Sequence, residues 1–262
     1  MCQQYLVKTQ ILGKEPVDLT SVDTSEVKVV PIDWKEARKF ITTYEWAGNM
    51  GTSKHCFGLF IADRLASVVC YGPPVAPTRY ASILGKELSK SVMQLCRGAS
   101  THWAPKWAPS KLVSHSLKIL RRAQRTNIVV AYADAQAGEI GTIYQACNAF
   151  YLGETSSGGG KRYIIKGHSY DPRKVVKKFG SRARGHLLRI DPSYKEIPIK
   201  PKHRYVFVLG SKKERKEILG RIKPLISEYP KRKTLVAMPP VYETARVIYE
   251  QEWRFSKPLS VP

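Results

Sequence analysis

The spacing of hydrophobic residues changes several times along this chain, and each change marks an expected element. After a loosely held arm at residues 1–26, "EVKVVPI" reads as a strand. "DWKEARKFITTY" then reads as a helix, with apolar residues at helical spacing and Asp33 placed to cap its N-terminus. "HCFGLFIADRLASVVCYG" is two β runs joined at Ala62-Asp63-Arg64, the pattern of a hairpin. "PPVAPTRYAS" reads as a loop, and "SVMQLCRGAS" as a third β run that breaks at Gly98. "PSKLVSHSLKILRRAQRT" places Leu112, Leu117 and Leu120 on one helix face and ends on basic residues that suit the helix dipole. "NIVVAYAD" is short, apolar and β-branched, as expected of a strand covered on both faces. A short helix "GTIYQACNA", a strand "FYLGETSS" and a glycine joint at Gly158-Gly159-Gly160 follow. The remainder holds a basic segment, a strand "HRYVFVLG", a helix "SKKERKEILGRI" and a proline-interrupted tail.

Helices alternating with strands, the first of which form a hairpin, predict an α/β fold with a mixed central sheet flanked by helices. The expected division is an arm at 1–26, a core at 27–157 and a basic extension at 158–262 that completes the sheet. No G-x-G-x-x-G fingerprint follows the first strand and no phosphate-binding G-x-x-x-x-G-K-[ST] loop occurs, so the nucleotide-binding versions of the α/β plan are set aside. Five scattered cysteines without C-x-x-C spacing point to a reducing compartment and to no structural metal. With no run of 18 apolar residues, the expectation is a cytoplasmic protein without a membrane partner.

Charge changes the picture most. Lys and Arg number 44 against 21 Asp and Glu, a net charge of +23, and the segment from Lys161 to Lys233 holds 23 basic and six acidic residues. A concentration of that kind suits a polyanion, because cations that neutralise phosphates release condensed counterions. Candidate phosphate contacts are Lys161, Arg162, Lys177, Lys178, Arg182 and Arg184. Lys202 and Arg204 join them, since alternate residues of one strand share a face. Trp103 and Trp107, in "HWAPKWAPS", are candidates to stack on a base turned out of a duplex.

Against this background a carboxylate at the end of an apolar strand stands out, and Asp134 is the first candidate for chemistry. Ser110 is of the right type to cap the helix it opens, where backbone N–H groups also face an anion.

The order of elements resembles the acyltransferase fold of the GNAT superfamily. Taken in sequence, "CFGLFI", "QLCRGAS", "PSKLVSHSLKIL", "IVVAYAD", "GTIYQACNAFYLG", "KHRYVFVLG" and "EYPK" resemble the bacteriophage Mom family of DNA-adenine modification proteins, from about Trp34 to Lys231. The resemblance implies conversion of adenine in double-stranded DNA to its N6-carbamoylmethyl form, which shields the DNA from restriction enzymes. Ser110 and Asp134 fall where the family carries a functional serine and aspartate, and Tyr144 falls where GNAT enzymes carry a tyrosine that protonates the leaving group. Where the family often shows His-Tyr-x-Gly this chain has Glu45-Trp46-Ala47-Gly48, so the resemblance supplies no histidine base. On the donor side it points to Arg97, Gly98 and Ser110. The loop between them lacks the [QR]-x-x-G-x-[GA] motif that grips the pyrophosphate of coenzyme A. A glycyl donor such as glycyl-tRNA is therefore favoured over acyl-CoA, which would make tRNA a second nucleic-acid partner. Two other readings fit the same residues: a GNAT-type acetyltransferase acting on a protein or small molecule, and a non-catalytic DNA-binding phage protein.

Overall fold

Asp33 opens the first helix as its type predicts: its carboxylate accepts the backbone N–H of Lys35 at 2.7 Å. In the computed structural model, residues 26–155, 160–170 and 172–231 are described. All but the last residue of the arm expected at 1–26, the first two glycines of the joint with the two serines before them, Asp171 and the tail beyond Lys231 lie outside them.

Strand β1 (Val27–Ile32) leads into helix α1 (Trp34–Tyr44), followed by the hairpin β2 (His55–Ile61) and β3 (Arg64–Gly72). Its turn places Ala62 and Asp63 at φ 46° and 61°, the left-handed region that a tight reversal demands. "PPVAPTRYAS" is not a loop. It contains most of helix α2 (Pro77–Leu84), which starts on Pro77 and buries Tyr80 and Leu84, and the one-turn helix α3 (Lys86–Ser89) follows. Next come β4 (Val92–Ser100), α4 (Ala108–Gln124), β5 (Ile128–Asp134), a 3-10 turn at Ala135–Ala137, α5 (Thr142–Ala146) and β6 (Phe150–Glu154). The basic segment is itself structured, as β7 (Lys161–Ile165), β8 (His168–Tyr170), α6 (Pro172–Phe179), α7 (Arg184–Ile190) and β9 (Lys195–Pro198). β10 (Lys202–Val208) and α8 (Lys212–Ile222) complete the described chain, apart from a last 3-10 turn at Lys223–Leu225.

A seven-stranded mixed sheet runs in the order β1-β2-β3-β4-β5-β10-β6. One face carries α4 and packs Tyr71, Leu112, Leu120, Val129 and Tyr205 into the largest apolar cluster. The other is covered by α1 over Cys56, Val68 and Cys70, and by α2 and α8 over Ile128, Val130 and Val206. Along β5 every residue from Ile128 to Ala131 is buried, as an apolar strand between two layers requires.

Two irregularities shape one end of the sheet. β4 runs unbroken through Gly98. Its irregularity lies two residues earlier, where the register against β3 shifts between Cys70 and Tyr71 and leaves Cys96 as the extra residue of a β-bulge. A bulge re-aims the side chains beyond it. The parallel ladder between β4 and β5, moreover, covers only three positions, Val92↔Ile128 to Gln94↔Val130. Past Gln94 the two strands part company while each continues, β4 to Ser100 and β5 to Asp134.

The chain forms two units, and the division is not a single cut at 157. Of the described residues, one comprises 26–155 and 200–231, the other 160–170 and 172–199. The expected extension is thus split. Its first part leaves the core, and β10 returns to pair antiparallel with both β5 and β6. Within the second unit the sheet β8-β7-β9 and its two helices enclose Tyr163, Ile165, Val175 and Leu187.

Candidate functional site

The open end of the large sheet gathers most of the candidate chemistry. At the last position of β5, Asp134 is cross-strand partner of Lys202, and their side chains form a 2.9 Å ion pair. The backbone N–H of Asp134 donates to Glu139 Oε2 at 3.1 Å, and the N–H of Glu139 returns to the Asp134 carbonyl at 3.0 Å. The other carboxylate oxygen of Glu139 accepts the indole N–H of Trp46 at 2.9 Å, which brings the segment after α1 to the end of β5. Burial, first of all, raises the Glu139 carboxyl above its ordinary value.

Glu45 ends α1. It is 7% exposed, its backbone N–H still closes the helix on Ile41, and its Oε2 accepts the N–H groups of Ala47 and Gly48 at 2.9 and 3.1 Å. The same oxygen lies 4.0 Å from Arg97 Nε. Arg97 is the cross-strand partner of Cys70, on the face that α1 covers, so it meets the end of that helix. Burial pushes the Glu45 carboxyl up to about 7, against the pull of Arg97 and the two N–H groups and with the nearby Glu139 adding to the rise.

Tyr144, on α5, packs its ring at a tilt against Tyr205 and edge-on to Phe207, with centroids 5.4 and 6.2 Å away. Its hydroxyl makes no hydrogen bond among the described residues. Burial pushes the phenol well above its ordinary value, and Glu139, Tyr71, Glu45 and Tyr205 add to the effect. The turn that carries these groups is pinned from β10: Tyr205 donates to the Ile140 carbonyl at 2.5 Å, and the Gln145 amide reaches both that carbonyl and the Tyr205 hydroxyl. Gly141 is what fits between them. It has φ 71°, and a Cβ there would sit 2.4 Å from the Tyr205 ring.

Other expected site residues are placed differently. Ser110 does not cap its helix: α4 begins at Ala108 behind Trp107, and the Ser110 hydroxyl turns back to the Trp107 carbonyl at 2.9 Å. All three Arg97 nitrogens are spent on carbonyl oxygens, Nε and Nη2 on Asn49 and Nη1 on Cys96, so the side chain clamps the loop and does not present a free fork. Gly98 is an ordinary strand position on the same β4. Trp103 is buried beneath the Arg64 guanidinium, 4.4 Å from its ring, and Trp107 is half-buried with Lys111 over it, so neither ring stands ready for a base. Arg204 shares a face with Lys202 as expected, but it is 8% exposed and donates to the Leu152 carbonyl, which withdraws it from the surface. In the second unit Lys161 pairs with Glu196 and Arg162 donates to Ser169, while Lys178 lies over Tyr170 and Phe179. Lys177, Arg182 and Arg184 are exposed.

Sequence reasoning missed Glu139 and left Glu45 without a role. Neither sits in a pattern that announces burial, and only the meeting of Trp46 with the turn after β5 brings the two together. Among the described residues no three metal-binding side chains converge and no helix is long and apolar enough to cross a membrane.

The family model described as the Mom protein family matches residues 26–231. The chain is similar to the methylcarbamoylase mom of Escherichia phage Mu, with 25% identity over 236 residues that cover 86% of this chain and 94% of the relative. Structural neighbours are acetyltransferases of the GNAT kind. A spermidine N-acetyltransferase variant from Vibrio cholerae aligns over 75% of this chain and 98% of its own, at 9% identity and a TM-score of 0.41. An N-acetyltransferase from Staphylococcus aureus aligns over 70% and 97%, at 9% identity and a TM-score of 0.40.

Proposed function

Because this chain belongs to the Mom protein family, whose model spans most of it, we propose that it is a transferase that converts adenine in double-stranded DNA to N6-carbamoylmethyladenine and so protects the DNA from restriction. The observation that carries this reading is the match to the phage Mu methylcarbamoylase, which runs through nearly the whole of both chains. The geometry is consistent with it, since the buried carboxylates and the Tyr144 phenol gather where β4 and β5 part.

The exocyclic amine of adenine is a weak nucleophile because its lone pair is delocalised into the ring, and in a duplex it is paired. Acting on it requires turning the base out, at a cost of a few kcal/mol that backbone contacts offset. The cations of the 160–199 unit, with Lys177, Arg182 and Arg184 exposed, supply such contacts. Asp134 accepts a hydrogen bond from the amine. The donor is a glycyl ester, with glycyl-tRNA its carrier, and the backbone N–H of Ser110, in the first turn of α4, faces the oxygen of its carbonyl, since the N–H groups of Ala108 and Lys111 serve the carbonyls of Pro105 and Trp107. The amine attacks that carbonyl, the new C–N bond replaces the ester bond, and the departing ribose oxygen takes the proton of Tyr144. The freed glycyl amine then attacks C6 of the base and displaces the amide nitrogen, which isomerises the adduct to N6-CH2-CO-NH2 without loss or gain of atoms.

Nucleoside mass spectrometry of plasmid DNA from cells that express the protein tests the reaction. The expected result is a carbamoylmethylated deoxyadenosine that is lost in Asp134→Ala. Unmodified DNA would favour a protein or small-molecule acetyltransferase, or a binding protein without chemistry. Incubating purified protein and duplex DNA with glycyl-tRNA labelled in the glycine tests the donor: label must enter the DNA, and with acetyl-CoA it must not.

A further inference from the structure

We propose that Glu45 is the proton acceptor of the transfer, its Oε1 taking the proton of the attacking amine as the carbon–nitrogen bond forms. This rests on the reading of the chain as an amine-modifying transferase.

The two oxygens of Glu45 are treated differently by the fold. Oε2 is anchored, by the N–H groups of Ala47 and Gly48 and by the Arg97 guanidinium 4.0 Å away. Oε1 accepts no hydrogen bond among the described residues. A carboxylate held by one oxygen with the other uncommitted is oriented to receive a proton, and it costs no rearrangement at the moment of reaction. Arg97 does not spoil this by neutralising the group. Its nitrogens already serve the Asn49 and Cys96 carbonyls at 2.5 to 2.6 Å, so it positions the carboxylate without forming a bidentate pair.

The titratable and charged groups that face Glu45 are Arg97 from β4, Glu139 from the turn after β5 and Tyr144 from α5. Their roles separate by what is already occupied. Glu139 uses one oxygen on Trp46 and the other on the Asp134 N–H, so it serves as a clamp. Tyr144 has a free hydroxyl that burial keeps protonated, which suits a donor. Glu45 alone of the three combines an uncommitted oxygen with a carboxyl held near neutrality, and a base is most effective when it titrates near the working pH. In proton terms Glu45 gains what the amine loses, Tyr144 gives what the leaving oxygen gains, and the two residues reset through solvent once product departs.

Glu45→Gln tests this with little disturbance, because the amide oxygen can still accept the Ala47 and Gly48 N–H groups while the side chain no longer accepts a proton. Plasmid DNA from cells expressing the parent, Glu45→Gln and Glu45→His is analysed by nucleoside mass spectrometry, with thermal melting of each purified protein. Rates on duplex DNA with labelled glycyl-tRNA are followed from pH 5.5 to 8.5. Glu45→Gln is expected to lower modification by about 100-fold or more. Glu45→His restores an acceptor that titrates near neutrality and is expected to recover activity, with its rate rising through the imidazole pKa where the parent's rises through that of Glu45. Modification by Glu45→Gln at the parent level, or a parent rate flat across that pH range, overturns the proposal while leaving the DNA-modifying reading intact. A parent that leaves DNA unmodified brings down both.

Discussion

The open end of the large sheet and the small basic unit use charge in opposite ways. At the sheet end a few carboxylates sit in a protein that is otherwise strongly cationic, and burial gives them their character: Glu45 and Glu139 are both raised, and each is fixed by named hydrogen bonds. In the 157–199 segment eleven Lys and Arg face three Asp and Glu, and most of the cations are exposed around a core of four buried side chains. Where water is excluded, one charge changes what a neighbour can do; where water is plentiful, only the number of charges matters. On the proposed reading the first region moves a proton and the second holds a polyanion. Substitutions should therefore separate them.

The most damaging substitution should be Gly141→Ala. It forces a left-handed backbone on a residue with a Cβ and drives that atom into the fully buried Tyr205 ring. The expected loss is roughly 2 to 5 kcal/mol of stability by urea denaturation, from backbone strain and overpacking together. DNA modification should fall with it. Next in size is a gain. The Glu45 carboxyl rises from 4.5 to about 7 on folding, so its protonated form is favoured in the native state. The associated stability is fully present below 4.5 and is lost as pH rises through about 7. Glu45→Gln, which cannot ionise, should thus be more stable than the parent at pH 8 by roughly 3 kcal/mol and equal to it at pH 4, by denaturation at both pH values. A variant that is more stable and less active would mark the site as built for reaction at the expense of stability.

In the basic unit the effect should appear in the salt dependence of binding. Replacing Lys177, Arg182 and Arg184 together by Ala should reduce the slope of log affinity against log salt by about 0.9 for each phosphate that is no longer neutralised. Stability should change by no more than about 0.5 kcal/mol, as for other surface positions. Filter binding of duplex DNA over a salt series measures the first and melting the second. The smallest effect on function is expected of Ser211→Ala, which removes the capping box of α8 with Glu214 at a cost of about 1 kcal/mol of stability. Denaturation should register it, and DNA affinity should not.

Most elements were legible because their period reports which face is buried: the hairpin at Ala62-Asp63, the Asp33 cap, the apolar β5 and the helix ending in Arg121 and Arg122 all stand where the pattern put them. Helix α2 was hidden by prolines, which read as loop signals although Pro77 in fact begins a helix. The segmental charge count did not show that β10 returns to the core, since a strand's place in a sheet depends on partners far away in sequence. Asp134 was visible as a polar residue at the end of an apolar run. Glu45 was not, because its burial arises from the bulge at Cys96, which aims Arg97 toward the end of α1, and from the bridge between Trp46 and Glu139. Burial likewise removed Arg204 and Trp103 from the surface that their residue types suggested.

The position of β10 between β5 and β6 also imposes an order of events on a chain emerging from the ribosome. Among the described residues β6 pairs with β10 alone, and Lys202 is the cross-strand partner of Asp134, so the strand that closes the sheet is made about fifty residues after β6 and about seventy after β5. The whole basic unit is synthesised in that interval. A nascent chain can therefore expose its cations to nucleic acid before the end of its sheet is assembled, and competence for chemistry arrives only when residues 202–208 slot between strands that have been waiting for them.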